Sequence, residues 1–203
     1  MSRNLTGVVD WGHELLAEKI SNGQLAVDLT AGNGYDTLML WRLVGASGQV
    51  ISFDIQPEAL RSTQQRLEAQ GATVRCWCTK DSQLEHVAGV DLVNAGHQQL
   101  RNYLPTAPHA IVANLGYFPS GDKTITTLPE TTLQALQQSA ELLAPCGRLA
   151  VVVYTGHPGA ADEASAVDGF FSGLEPDAFQ VLQFKVLNRP DAPYLLVAEK
   201  RNL

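Results

Sequence analysis

The sequence predicts an α/β protein: an open, mostly parallel sheet with helices on both faces. Three observations predict it. Short apolar runs alternate with segments of helical period along nearly the whole chain. The stretch AVDLTAGNGYDT, from Ala26 to Thr37, reads as a strand, a tight glycine turn and a helix start, the opening of a βαβ unit. The last two apolar runs have no helix between them, and so short a connection permits only antiparallel pairing.

The elements follow in order. Thr6 to Ser21 carries Val8, Val9, Leu15, Leu16 and Ile20 at helical spacing, and Asn22-Gly23 ends it. Leu25 to Leu29 is a strand, Gly34 to Val44 a helix, Gly45 to Gly48 a turn and Val50 to Phe53 the second strand. Pro57 opens a helix where its missing N–H costs little, and that helix ends near Gly71. Within Thr73 to Gly89, TVRCWCT alternates like a strand and SQLEHVAG has the pattern of a helical turn. Val90 to Asn94 is a strand, His97 to Tyr103 a helix and Ala110 to Ala113 a strand. Glu130 to Leu143 places Leu133, Leu136, Ala140 and Leu143 on one helical face. Leu149 to Tyr154 is the most apolar strand and is expected at the sheet's centre. A helix over Ala160 to Phe171 and strands Phe179 to Val186 and Tyr194 to Glu199 complete the chain.

A chain of 203 residues suits one well-buried domain, residues 1–203. Its hydrophobic content of 45% is that of a folded globular protein. No apolar run approaches the ~20 residues of a membrane helix, and Asp10, His13 and Glu14 interrupt the N-terminal segment where a signal peptide needs an apolar core. A cytoplasmic protein without membrane partners is expected. The three cysteines argue against a disulfide framework, and Cys76-Trp77-Cys78 lacks a second ligand pair, so no metal site is expected. The net charge of −7 argues against general electrostatic attraction to nucleic acid; such a partner must meet a local patch, which Lys123, Arg148, Lys185 and Arg189 either form or, as dispersed surface charges, do not.

Gly32 and Gly34 let backbone approach a ligand closely, and Asp54 follows the second strand 20 positions after Gly34, where a carboxylate accepts both hydroxyls of a ribose. A dinucleotide loop needs a third glycine; here that position holds Thr37. Asp28 and Asp36 put negative charge where a pyrophosphate would sit. Acids repel a pyrophosphate but hold an ammonium or a sulfonium, so the loop favours S-adenosylmethionine over NAD. Gln56 is within reach of the adenosine, and Gly96 and His97 stand at the next strand end, where an adenine edge is read.

The segment IVANLGYFPSGDKTITTLPE, residues 111–130, leaves a buried strand and releases polar groups onto a loop. Asn114 offers a side-chain carbonyl and Tyr117 a flat stacking face, both suited to a planar, nitrogen-bearing substrate. Tyr154 and His157 end the apolar strand and are candidates for the same pocket; His13 can face that pocket from the first helix, but the helix surface is its expected place.

The segments DLTAGNGYDT, FDIQPEAL, NAGHQQL, NLGYFPSGDKTITTLPETT and VVVYTGHPG together resemble the rRNA methylase family of class I S-adenosylmethionine-dependent methyltransferases. The resemblance covers nearly the whole chain. It implies a Rossmann-like, seven-stranded sheet and an RNA substrate. The family's characterised branch methylates the aminomethyl group of 5-aminomethyl-2-thiouridine at the tRNA wobble position. Carried onto this sequence, the cofactor contacts fall on Asn33, Asp36, Asp54, Gln56 and His97, with Gly32 and Gly34 shaping the loop. The acceptor side falls on Asn114, Tyr117, Asp122, Lys123, Tyr154 and His157. Thr73 to Gly89 looks like an insertion, and Cys146 stands where the turn usually has glycine.

On this reading Asn114 orients an amine, Asp122 takes its proton or anchors it, Lys123 supplies positive charge or meets a phosphate, and Tyr117 stacks on the uracil; the alternative for Asp122 is a loop carboxylate that pairs with Lys123 or caps the Thr124 turn. Alternatives are an rRNA methyltransferase, a small-molecule N- or O-methyltransferase of the same fold, and a module that binds an adenosine ligand without turnover. A homodimer is compatible with the sequence, which does not fix the oligomeric state.

Overall fold

The computed structural model describes residues 6–78, 84–156, 159–189 and 191–202. The elements are α1 (Val8–Ala17), β1 (Leu25–Asp28), α2 (Tyr35–Val44), β2 (Gln49–Phe53), α3 (Pro57–Glu68), β3 (Val74–Trp77), β4 (Gly89–Val93), a 3₁₀ turn (His97–Asn102), β5 (Ala110–Leu115), α4 (Pro129–Leu142), β6 (Arg148–Val153), α5 (Ala160–Ser172), β7 (Phe179–Phe184) and β8 (Tyr194–Lys200). They form one sheet in the order β3-β4-β2-β1-β5-β6-β8-β7. Only β8 is reversed; it pairs antiparallel with both β6 and β7.

Alternation along each strand feeds two cores. Leu25 and Val27 of β1 join one cluster with Leu136 and Phe171 from α4 and α5; Ala26 joins the other with Leu16, Leu40 and Leu67 from α1, α2 and α3. Every residue of β1, β2 and β4 is buried, as parallel strands covered on both faces require, including the polar Asp28, Gln49, Ser52 and Asp91. The most apolar strand, β6, lies inside the sheet but one place from the middle; β1 and β5 form the central pair.

The sheet has eight strands where the resemblance implied seven. The addition is β3, at the edge, with Cys76 and Cys78 both exposed. Asp91 of β4, almost wholly buried, holds β3 in place: it accepts bonds from Arg75 Nε (2.7 Å) and Nη2 (2.7 Å), Trp77 Nε1 (2.8 Å) and Gln49 Nε2 (2.7 Å). Arg75 also caps the Val87 and Ala88 carbonyls. A forked guanidinium on a carboxylate fixes strand position as well as charge.

The parallel strands release their C-terminal ends on one rim. Arg148 begins β6 and therefore lies at the opposite rim, where it bonds Glu18 (2.8 Å), Glu199 (2.8 Å) and the Leu15 carbonyl. It does not join Lys123 and the other candidates in a common patch. Cys146 has a φ of 62°, the left-handed backbone that explains why glycine is usual in this turn. Among the described residues no helix is long and apolar enough to cross a membrane.

Candidate active site

A cavity of about 740 Å³ opens at the C-terminal rim, above β1, β2, β4, β5 and β6. This is the crevice where open α/β sheets take their ligands.

One wall is the β1–α2 turn. Gly34 holds a φ of 76°, and a Cβ there would stand 2.8 Å from the Thr63 backbone, so the turn packs on α3 only as glycine. Asp54 accepts the Gly32 N–H (3.0 Å) and the Gln56 N–H (2.9 Å), which ties the turn to the end of β2. Burial raises its carboxyl above the usual range despite these bonds. Asn33 lines the cavity; its carbonyl accepts Arg66 Nε at 2.6 Å. Gln56, Gly96 and His97 also line it. Burial lowers the His97 imidazole, partly offset by its bond to the Leu29 carbonyl, so it is held neutral near pH 7.

Asp28 lies beneath this turn, fully buried, and does not line the cavity. It accepts bonds from Thr30 N–H (3.0 Å) and Thr37 Oγ1 (2.6 Å), and Thr37 in turn contacts Ser52 Oγ at 2.9 Å. Burial, then the nearby Asp36 charge, raise its carboxyl to about 7. Asp28, Asp36 and Asp54 thus form an acid cluster whose mutual repulsion a bound cation relieves.

The centre of the site is Asp36. Its carboxylate accepts a hydrogen bond from Asn114 Nδ2 on one oxygen and contacts His13 Nε2 through the other. The Asn114 backbone N–H donates to Thr30 Oγ1 at 2.8 Å. A carboxylate only accepts, so it selects the amide's NH₂ and turns Oδ1 the other way. That Oδ1 is buried and has no hydrogen-bond partner. An unpartnered buried carbonyl costs free energy that a ligand N–H recovers. His13, expected on the helix surface, lines the cavity instead because α1 runs along β6 and β8, its last turn at Arg148 on the opposite rim and its first turns, with Val9, Asp10 and His13, at the cavity.

The other wall is the loop after β5. Gly116 N–H donates to Thr127 Oγ1 (2.9 Å), Thr127 N–H to the Gly116 carbonyl (2.8 Å), and Tyr117 bridges Thr126. Glu163 of α5, buried, accepts Thr127 Oγ1 and Thr132 Oγ1, each at 2.7 Å. Sequence reasoning missed Glu163; the signal available was a carboxylate on an otherwise apolar helix face, opposite a threonine-rich loop. Tyr117 and Tyr154 line the cavity, and burial together with the Asp36 charge raises the Tyr154 phenol. Lys123 Nζ stands 5.6 Å from the Tyr117 ring centroid. Asp122 is exposed and accepts bonds from Thr124 N–H (2.9 Å) and Oγ1 (2.7 Å), which hold it below the usual carboxylate range. Neither Asp122 nor Lys123 lines the cavity. His157 lies outside the described residues.

The acid cluster, the glycine turn and the neutral His97 fit a cationic adenosine ligand without phosphates. Comparison with known proteins agrees. Residues 50–200 match the family model described as "Putative rRNA methylase". The chain is 35% identical over 196 residues to the chloroplastic tRNA (mnm(5)s(2)U34)-methyltransferase of Arabidopsis thaliana, covering 93% of this chain and 68% of that protein. It superposes with a TM-score of 0.86 and 33% identity on a crystal structure described as a putative rRNA-methylase from Clostridium thermocellum, covering 98% of this chain and 99% of that one. A structure described as a putative methyltransferase from Streptococcus mutans, in complex with SAH, gives 0.81 and 31% identity, with 98% and 99% covered.

Proposed function

This chain belongs to the rRNA methylase family and is an S-adenosylmethionine-dependent methyltransferase; from that premise we propose that its substrate is RNA and its acceptor the aminomethyl group of a 5-aminomethyl-(2-thio)uridine at the tRNA wobble position. The observation that carries the acceptor chemistry is the buried, unpartnered Asn114 Oδ1. The similarity to the Arabidopsis tRNA methyltransferase supports the substrate class.

When bound, S-adenosylmethionine supplies an electrophilic methyl on a sulfonium. The residues that would hold it are Gly32, Asn33, Gly34, Asp36, Asp54, Gln56, Gly96 and His97, with Asp28 adding charge from below. The acceptor amine, with a pKa near ~10.4 like lysine, costs roughly 4–5 kcal/mol to reach its neutral form at pH 7. Positive charge beside it lowers that cost. Asn114 Oδ1 accepts one amine N–H and thereby aims the nitrogen lone pair. With the donor bound, the nitrogen so aimed would take the methyl group from the sulfonium, whose carbon–sulfur electron pair would stay on sulfur, and would then release a proton. In this proposal Tyr117 and Tyr154 hold the uracil ring. Asp122 fixes the turn that presents Lys123 to a phosphate, and His157 joins the substrate side. Because Asp122 is bonded to Thr124 outside the cavity, the proton passes to water at the open mouth.

Mass spectrometry of nucleosides from the tRNA and rRNA of a strain lacking the protein tests the proposal. Loss of the methylated wobble uridine, with its aminomethyl precursor accumulating, is expected. An unchanged tRNA profile contradicts it; a lost methyl in rRNA redirects the reading to that substrate.

A further inference from the structure

Nine large hydrophobic residues are exposed among the described residues, and six of them line the mouth of this one cavity: Tyr35, Ile55, Tyr117, Ile125, Leu128 and Tyr154. Apolar surface gathered at one opening marks an interaction site. Tyr35 is the outermost of the three tyrosines, 62% exposed against 39% for Tyr117 and 38% for Tyr154. It is also held rigid. The Arg66 guanidinium lies 3.7 Å from its ring centroid, and Arg66 is itself anchored by the 2.6 Å bond from Nε to the Asn33 carbonyl. One face of the ring is therefore covered by a fixed cation while the ring as a whole stays open to solvent.

We propose that Tyr35, backed by Arg66, is a stacking platform for the nucleobase next to the one that enters the cavity. The inference rests on the RNA reading and extends it to a second base. An aromatic ring accepts any base on its π-face, and a guanidinium behind it strengthens the stack. The chain's charge of −7 makes this the economical way to hold RNA, because the protein as a whole repels phosphates. The platform requires a splayed, single-stranded segment, since bases inside a duplex offer no free face.

The test compares wild type, Tyr35→Ala and Tyr35→Phe on two substrates: a stem-loop RNA carrying the aminomethyl uridine, and that nucleoside alone. For Tyr35→Ala, KM for the stem-loop rises about tenfold, KM for the free nucleoside and Kd for S-adenosylmethionine stay within about twofold, and Tyr35→Phe keeps wild-type values. An unchanged stem-loop KM in Tyr35→Ala overturns the platform while leaving the RNA substrate intact. So does an equal rise for the nucleoside, or a parallel loss of S-adenosylmethionine affinity. If wild type methylates the nucleoside but no RNA, the RNA reading fails and the platform falls with it.

Discussion

Asp36 and Asn114 share a hydrogen bond in which the carboxylate accepts from Nδ2, and this bond decides which way the amide faces. His13 contacts the second Asp36 oxygen, so a residue of the first helix sets an acceptor group on β5 through one intermediate. Removing His13 lets the carboxylate turn and frees the amide. His13→Ala is expected to lower kcat about tenfold, the loss of one oriented hydrogen bond, with KM for the acceptor less affected. His13→Gln, which still donates, is expected to recover most of it. Steady-state kinetics on both variants check this.

The acid cluster makes cofactor affinity depend on pH. Asp28 titrates at about 7 in the free protein, and burial also raises Asp54. A bound cation favours the ionised carboxylates, so below pH 7 binding must expel a proton and affinity falls; above it no proton is released. S-adenosylmethionine affinity is expected to strengthen as pH rises through about 7, and more steeply than that of S-adenosylhomocysteine, which lacks the sulfonium charge. Calorimetry between pH 5.5 and 8.5, in roughly half-unit steps, measures both slopes.

Glu163 ties the acceptor loop to α5 through Thr127 and Thr132. Glu163→Ala leaves two hydroxyl donors without their acceptor beside a hole, although Thr127 Oγ1 keeps the Gly116 N–H, and is expected to cost about 2–4 kcal/mol of stability, with a raised KM for the acceptor. Glu163→Gln keeps one acceptor and is expected to cost about half as much. Urea unfolding and acceptor kinetics separate the two effects.

The glycine turn, Asp54 and Asn114 were legible in the sequence because each stands at or just beyond the end of an apolar strand, and parallel strands deliver their ends to one rim. For His13 both the pocket and the helix surface stayed open, because helical period fixes which face is apolar but not where the helix docks. Glu163 depends on a contact 36 residues away in sequence, which the apolar period of its own helix does not encode. Asp122 reads in the sequence either as a proton acceptor or as the cap of the Thr124 turn, and its side chain is bonded to Thr124 N–H and Oγ1. The eighth strand was visible as alternation in TVRCWCT; its place beside β4 follows from Asp91, which no pattern in the chain singles out.

Cys146 holds a left-handed φ of 62° that side chains disfavour. Cys146→Gly is expected to stabilise the protein by about 1 kcal/mol, the strain relieved less the entropy glycine adds to the unfolded chain. Thermal unfolding should shift upward by roughly 2–4 °C.

The most direct measurement is single-turnover methyl transfer by Asn114→Ala, beside its Kd for S-adenosylmethionine. The predicted result is a rate lowered about 100-fold or more, with cofactor affinity within about threefold of wild type. A wild-type rate, or a loss of cofactor affinity that matches the loss of rate, would contradict Asn114 as the group that aims the nucleophile.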